Sequence, residues 1–262
     1  MSWFEAFILG IIQGLTEFLP VSSSGHLELG KAILGVEIKE NLTFTVVVHA
    51  ATVCSTIVVY RKDISNIVIN SLRFQWNDEL QYLTKIIVSA IPVVIVAIFF
   101  ENHIEMLFSG KLLLVGFMLL VTATLLGFTF YSKSKNRDLS FRDAFIVGIA
   151  QAFAVLPGIS RSGATIATAL LLNNDKEKAA RFSFLMVLIP ILGKVLLDVF
   201  SGDLANESVD LSILFAGFVS AFLFGLLACK VMIQLVKRSK LIYFAIYCFI
   251  VGSITIFFSV LG

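Results

Sequence analysis

Two short stretches of this chain carry residues whose types and spacing suit phosphate chemistry. The first is Gln13-Gly-Leu-Thr-Glu17-Phe-Leu-Pro-Val-Ser22-Ser23-Ser24-Gly25-His26, and the second is Pro157-Gly-Ile-Ser160-Arg161-Ser162-Gly163-Ala-Thr165. Gln13 and Glu17 stand four apart, so a helix would put them on one face. Arg161 is flanked by Gly158, Ser160, Ser162 and Gly163, with an apolar helical run beginning just after. Glycines let backbone N–H groups approach an anion, a helix N-terminus adds positive potential, and a guanidinium offers a bidentate fork. Arg161 therefore either binds a phosphate group or neutralises Glu17, and one side chain can do both in turn. Glu17, with Gln13 as a neutral partner, either ligates a hard divalent cation such as Mg²⁺ or Ca²⁺ or serves as the arginine's counter-ion. His26 follows Ser23 by three residues, close enough to act as base, acid or nucleophile. The bland alternative is a structural histidine beside serines that only bond the local backbone.

The elements holding these residues must lie in a bilayer. The chain has 262 residues, of which 58% are hydrophobic and only 15% charged, where a soluble domain carries about a quarter charged residues. Too little polar surface is present to cover a water-soluble fold, and the long unbroken apolar runs exclude an alternating outer-membrane barrel. Six runs are long enough to cross: 43–60, 83–100, 112–131, 182–199, 211–229 and 241–260. Two more apolar segments, 5–35 and 144–173, are interrupted midway by the two polar stretches, which predicts re-entrant helical hairpins. No basic region precedes the first apolar run, so no cleavable leader is expected.

Charge tests the hairpins. If both return to their own side, one face gathers Arg61, Lys62, Arg73, Lys85, Lys133, Lys135, Arg137, Arg142, Lys176, Lys178, Arg181, Lys230, Lys237, Arg238 and Lys240, and the other only Lys31, Lys39 and Lys111. If both cross, the bias disappears. The positive-inside rule selects the first arrangement, with the basic face cytoplasmic and both termini outside the cytoplasm. The chain also repeats itself: a shift of 138 residues makes nine of the 21 positions from 5 to 25 identical, including Gln13/Gln151, Ser22/Ser160, Ser24/Ser162 and Gly25/Gly163. Phe44/Phe182 continues the register. Each unit holds one hairpin and three spans. Three is odd, so the units are inverted relative to one another, and a site is expected where their breaks meet. The expectation is an all-α integral membrane domain covering 1–262, with repeats at 1–131 and 140–262.

Other residues read as structural. Lys194 and Asp198 form an i,i+4 pair within a span, His49 suits a hydrogen-bonded core position, and Glu101, His103 and Glu105 sit at a span end within reach of water. Cys54, Cys229 and Cys248 lie far apart in apolar surroundings with no metal-ligand spacing.

The Gln13–His26 stretch resembles the first signature of the bacterial undecaprenyl-diphosphate phosphatases, the bacitracin-resistance proteins. Pro157–Thr165 resembles their second signature, and the likeness extends over the length, the span pattern and the Phe244-Ala-Ile-Tyr247 tail. The resemblance implies removal of the terminal phosphate from undecaprenyl diphosphate, which regenerates a lipid carrier for cell-wall polymers and confers bacitracin resistance. It implies Glu17, Ser23, His26 and Arg161 as catalytic residues. Ser22, Ser24, Ser160, Arg161, Ser162, Gly163 and Thr165 would hold phosphate, and Gln13 and Glu17 a Mg²⁺ or Ca²⁺ ion. Gln13 departs from the pattern, since many members carry Glu there, and an amide is a weaker ligand and no base. The partners implied are a polyprenyl diphosphate lipid and the membrane, with a homodimer possible and no nucleic acid. The implied location is the bacterial plasma membrane, with the site opening outward. The rival reading is an inverted-repeat transporter or flippase for a polyprenyl phosphate or small anion, which would need Arg161 but no nucleophile.

Overall fold

The computed structural model describes residues 1–36, 42–107, 111–132, 137–200, 210–238 and 240–261. The side chains of Glu101, His103, Glu105 and Asp198 lie outside what is described, as do Lys39, Lys133 and Lys135 of the charge count. Among the described residues the chain is helical without a named strand. The helices are α1 (Trp3–Phe18), α2 (Ser23–Leu34), α3 (Leu42–Val59), α4 (Arg61–Ser71), α5 (Asp78–Glu105), α6 (Leu112–Phe128), α7 (Phe141–Phe153), α8 (Arg161–Leu171), α9 (Lys176–Met186), α10 (Leu188–Phe200), α11 (Leu211–Lys237) and α12 (Ile242–Leu261).

Five stretches are long and apolar enough to cross a membrane: Asp78–Phe100, Leu112–Tyr131, Lys176–Leu197, Leu211–Lys237 and Ile242–Leu261. A sixth is available if α3 and α4, bent by 78° at Tyr60, count as one. This is a multi-pass membrane protein. Its large exposed apolar residues, among them Phe99, Phe215, Phe249 and Phe257, stand on the outer faces of the long helices, where lipid rather than water is their solvent.

Two elements differ from the expected runs. The connection after the first span contains α4, which begins with Arg61, Lys62 and Asp63; these charges end the apolar run and turn the chain. The run at 182–199 starts earlier, at Lys176, and its helix is interrupted at Val187. Pro190 supplies the reason: it has no N–H for the Met186 carbonyl, and its ring crowds that carbonyl.

The two broken segments are built alike. Ser2 and Glu5 form a capping box at the start of α1, and Ser140 and Asp143 form one at the start of α7. The stagger between them is the same 138 residues that the sequence repeats. Leu19, just before Pro20, takes an extended conformation (φ −69°, ψ 141°), because the proline ring excludes the helical one. That stops α1 and opens the gap at 19–22. The second gap, 154–160, contains Pro157 and Gly158, the latter at φ 98°. A Cβ at Gly158 would also come within 2.6 Å of the Val115 carbonyl, so only glycine fits.

Each broken segment packs against a long helix from the opposite half of the chain. α1 lies on α11 and α7 on α5, while α6 pairs with α12 across the middle. The contacts are close: a Cβ at Gly148 would sit 2.4 Å from the Ser89 carbonyl of α5. Phe44 and Phe182 follow the same exchange. Phe44 is fully buried against Gly217 of α11, and Phe182 lies edge-on to Tyr82 of α5 at 5.8 Å. This interlocking brings the two gaps together. The Ser162 hydroxyl of the second donates to the Leu19 carbonyl of the first at 3.2 Å.

Candidate active site

Glu17 lies in the last turn of α1, almost wholly buried. One carboxylate oxygen pairs with the guanidinium of Arg161, the first residue of α8. The other accepts from the Gln13 side-chain amide at 2.9 Å and from the Ser23 hydroxyl at 2.6 Å. Four expected residues, contributed by α1, α2 and α8, are thus joined through one carboxyl group. An ion pair this deep is costly to desolvate, and its neighbours compensate by saturating the carboxylate with hydrogen bonds.

The N-termini of α2 and α8 converge here. Ser22 caps α2 by accepting from the Gly25 N–H at 3.2 Å, and Ser160 caps α8 by accepting from the Gly163 N–H at 3.0 Å. In each gap the capping hydroxyl also meets the second serine, Ser22 with Ser24 at 3.4 Å and Ser160 with Ser162 at 3.3 Å. The remaining first-turn N–H groups, of Ser23 and Ser24 and of Arg161 and Ser162, have no acceptor within their own helices and suit an anion. Ser22 holds a left-handed backbone (φ 72°, ψ 97°), an arrangement a non-glycine residue keeps only where its surroundings enforce it. Thr122 of α6 braces the second gap, receiving the Ser160 N–H at 3.0 Å and donating to the Gly158 carbonyl at 3.2 Å.

Three placements give the remaining residues definite partners. Ser23 bonds to Glu17 rather than to His26. His26 instead has its Nδ1 at 2.9 Å from the Ser22 carbonyl and its Nε2 at 2.8 Å from the Tyr247 hydroxyl. The Thr165 hydroxyl donates to the Arg161 carbonyl at 2.8 Å and meets Ser183 at 2.6 Å, bracing α8 against α9. His49 is hydrogen-bonded as expected, Nδ1 to the Thr45 carbonyl at 2.8 Å, but it also belongs to the site. Its Nε2 lies 4.0 Å from the Glu17 carboxylate. Its signal was available, because an ionisable residue inside a span is a functional candidate by default. Tyr247 was visible only as part of a tail, and nothing in its spacing ties it to His26, 221 residues earlier.

Among the described residues no group of three or more His, Cys, Asp or Glu side chains could hold a metal ion. The donors present are the Glu17 carboxylate and the Gln13 carbonyl oxygen, which is buried without a hydrogen-bond partner among the described residues. Two hard oxygens fit a Mg²⁺ or Ca²⁺ ion that completes its coordination with phosphate oxygens and water, and they do not make a self-sufficient cage.

The sequence pattern of the family described as Bacitracin resistance protein BacA matches residues 6–254, a stretch that contains both helix gaps. The chain belongs to the BacA family. A relative from Christiangramia forsetii is 59% identical over 261 residues, covering 99% of both chains. Another from Parabacteroides distasonis is 56% identical over 98% of both, and one from Bacteroides fragilis is 55% identical over 98% of both. Each of these relatives is named undecaprenyl-diphosphatase. In this chain Glu17, Ser23 and Arg161 set a buried carboxylate, a hydroxyl and a guanidinium side by side. A buried carboxylate bonded to a serine hydroxyl can take its proton, and a guanidinium beside two helix N-termini can hold the charge that develops.

Proposed function

We propose that this chain hydrolyses undecaprenyl diphosphate to undecaprenyl phosphate and inorganic phosphate. That activity recycles a lipid carrier for peptidoglycan and related polymers and protects against bacitracin. Whole-length relatives of that name support it, and the observation that carries the chemistry is the Ser23 hydroxyl held at 2.6 Å by a Glu17 carboxylate that also pairs with Arg161.

In this reading Ser23 Oγ attacks the terminal phosphorus while its proton passes to Glu17. The bond from that phosphorus to the bridging oxygen breaks, and the electron pair leaves with the lipid monophosphate. Protonating Glu17 weakens its hold on Arg161, which turns its fork to the phosphoryl oxygens. The first-turn N–H groups of α2 and α8 share that charge, with Ser22, Ser24, Ser160, Ser162 and Gly163 keeping the two turns in shape. Water then attacks the phosphoserine phosphorus, the phosphorus–Oγ bond breaks, Glu17 returns its proton to Ser23 Oγ, and the proton lost by water leaves with the inorganic phosphate. Gln13 and Glu17 would hold a Mg²⁺ or Ca²⁺ ion arriving with the substrate, which when bound neutralises diphosphate charge.

The finer architecture belongs to the same proposal. The α1–α2 and α7–α8 segments are re-entrant hairpins in two inverted repeats, 1–131 and 140–262, within one membrane domain. The basic face is cytoplasmic, and the site and both termini face outward in a bacterial plasma membrane. The 138-residue stagger shared by the sequence repeat and the capping boxes supports the repeats, and the lopsided lysines and arginines support the orientation.

The test is phosphate release from undecaprenyl diphosphate by the purified protein in detergent, with and without EDTA, for the native chain and Arg161→Ala. Release by the native chain and loss in the variant are expected. A native protein that moves a polyprenyl phosphate across vesicles but frees no phosphate would reject the hydrolase in favour of a carrier.

A further inference from the structure

The reaction above uses Glu17, Ser23 and Arg161 and leaves unexplained why His26 is held as it is. Its Nδ1 lies 2.9 Å from the Ser22 carbonyl, an acceptor with no proton to give. The proton of that bond is therefore on Nδ1. In the neutral ring Nε2 is then the bare nitrogen, and the Tyr247 hydroxyl, 2.8 Å away, must donate to it. The two rings are also nearly parallel, 15° apart with centroids separated by 5.6 Å. A phenol that both stacks on an imidazole and bonds its free nitrogen fixes the ring's plane, rotamer and tautomer together.

The location makes this more than a packing contact. Tyr247 is half-exposed on the outer face of α12, in line with exposed Tyr243, Ile246 and Ile250, all facing the lipid side. His26 sits one turn into α2, three residues after Ser23. The pair thus links the exposed face of α12 to the turn of α2 that carries Ser23. Through His26 it also ties α12 to the strained Ser22, because the carbonyl that holds His26 Nδ1 is that of Ser22 itself.

We infer that Tyr247 is a positioning residue for the phosphatase reaction. It donates to His26 Nε2, keeps the imidazole in its Nδ1–H form, and through the Ser22 carbonyl keeps the first turn of α2, with Ser23, in place. The inference rests on the hydrolase reading. It predicts a loss that passes through His26, not an independent contribution from the phenol.

The experiment is a double-mutant cycle with Tyr247→Phe, which keeps the ring and the stacking but removes the hydroxyl, and His26→Ala. In the native background Tyr247→Phe should lower kcat about ten-fold, the scale on which one orienting hydrogen bond acts, with KM changed less than about two-fold. In the His26→Ala background the same substitution should change nothing. Native kcat in Tyr247→Phe, or an equal loss in both backgrounds, overturns the inference while leaving the hydrolase reading intact. An inactive native protein would sink the hydrolase reading instead, so a readout independent of turnover is included. Nitrogen-15 spectra of histidine-labelled protein, with His26→Ala identifying the signal, should show one protonated and one hydrogen-bonded bare nitrogen for His26. On Tyr247→Phe the bare nitrogen's signal should shift; an unmoved signal rejects the bond. Thermal unfolding of Tyr247→Phe should match the native chain, which separates positioning from folding.

Discussion

The gap at 19–22 and the gap at 154–160 each end in a serine that caps the next helix through the N–H of a glycine three residues on, and each has a second serine beside the cap. Within this shared frame the reactive positions differ. Immediately after the cap stands Ser23 in one gap and Arg161 in the other. Where the first has Glu17, the second has Val155. Gln13 donates to that carboxylate, whereas the amide of Gln151 is buried without a hydrogen-bond partner among the described residues. A repeated sequence frame supplies two converging helix N-termini, and differences at two positions put a carboxylate and a hydroxyl in one half and a guanidinium in the other. The proposed reaction draws on both halves, since neither gap alone holds a carboxylate, a hydroxyl and a guanidinium.

If the halves divide the work this way, the largest losses come from the first gap. Ser23→Ala and Glu17→Gln should each reduce phosphate release about a thousand-fold or more, because they remove the attacking atom or its proton acceptor. Near-native turnover in Ser23→Ala would hand the attack to water and erase the distinction between Ser23 and its counterpart position. Arg161→Lys tests the cationic half. It keeps a charge but loses the planar fork, and about a hundred-fold loss in kcat is expected. Arg161→Ala should in addition lower stability by about 3–5 kcal/mol in thermal or denaturant unfolding, because Glu17 is then buried without its counter-charge.

The metal prediction is intermediate in size and sharpens the Gln13–Gln151 contrast. Chelation with EDTA should suppress activity, and added Mg²⁺ or Ca²⁺ should restore it. Gln13→Glu adds a charged oxygen ligand beside Glu17 and should lower the half-activating metal concentration about ten-fold. The same change at Gln151 should leave that concentration unaltered. Activity indifferent to EDTA would remove Gln13 and Glu17 from any metal role.

Much of this division was legible in the chain. The apolar runs and the two polar interruptions placed the long helices and both gaps, because lipid tolerates broken backbone only where protein covers it. Repetition of Gln, Ser and Gly at a fixed stagger marked where the gaps would resemble each other. Partnerships were harder to read. Ser23 pairs with Glu17 rather than His26 because Glu17 remains inside α1 and reaches across a gap only four residues long. His49 and Tyr247 come from α3 and α12, and only tertiary packing brings such distant segments to the gap. The interruption at Val187 was signalled by Pro190, but the apolar run masked it.

The smallest expected effects separate scaffold from chemistry. Ser160→Ala removes the cap of α8 and should cost about 1 kcal/mol of stability, with a modest fall in rate as Arg161 loses its fixed starting point. Gln151→Leu should move stability the other way. Its amide is 2% exposed and has no hydrogen-bond partner among the described residues, so its desolvation is uncompensated. Leucine is close in size and carries no polar atoms, and a gain of about 1 kcal/mol in thermal unfolding is expected with kcat unchanged. Gln13→Leu makes the same chemical change on the other half but deletes a donor to Glu17, so its cost should appear in kcat. A Gln151→Leu variant that loses activity as Gln13→Leu does would mean that the second gap contributes chemistry of its own, and the two halves would then be more alike in function than their side chains indicate.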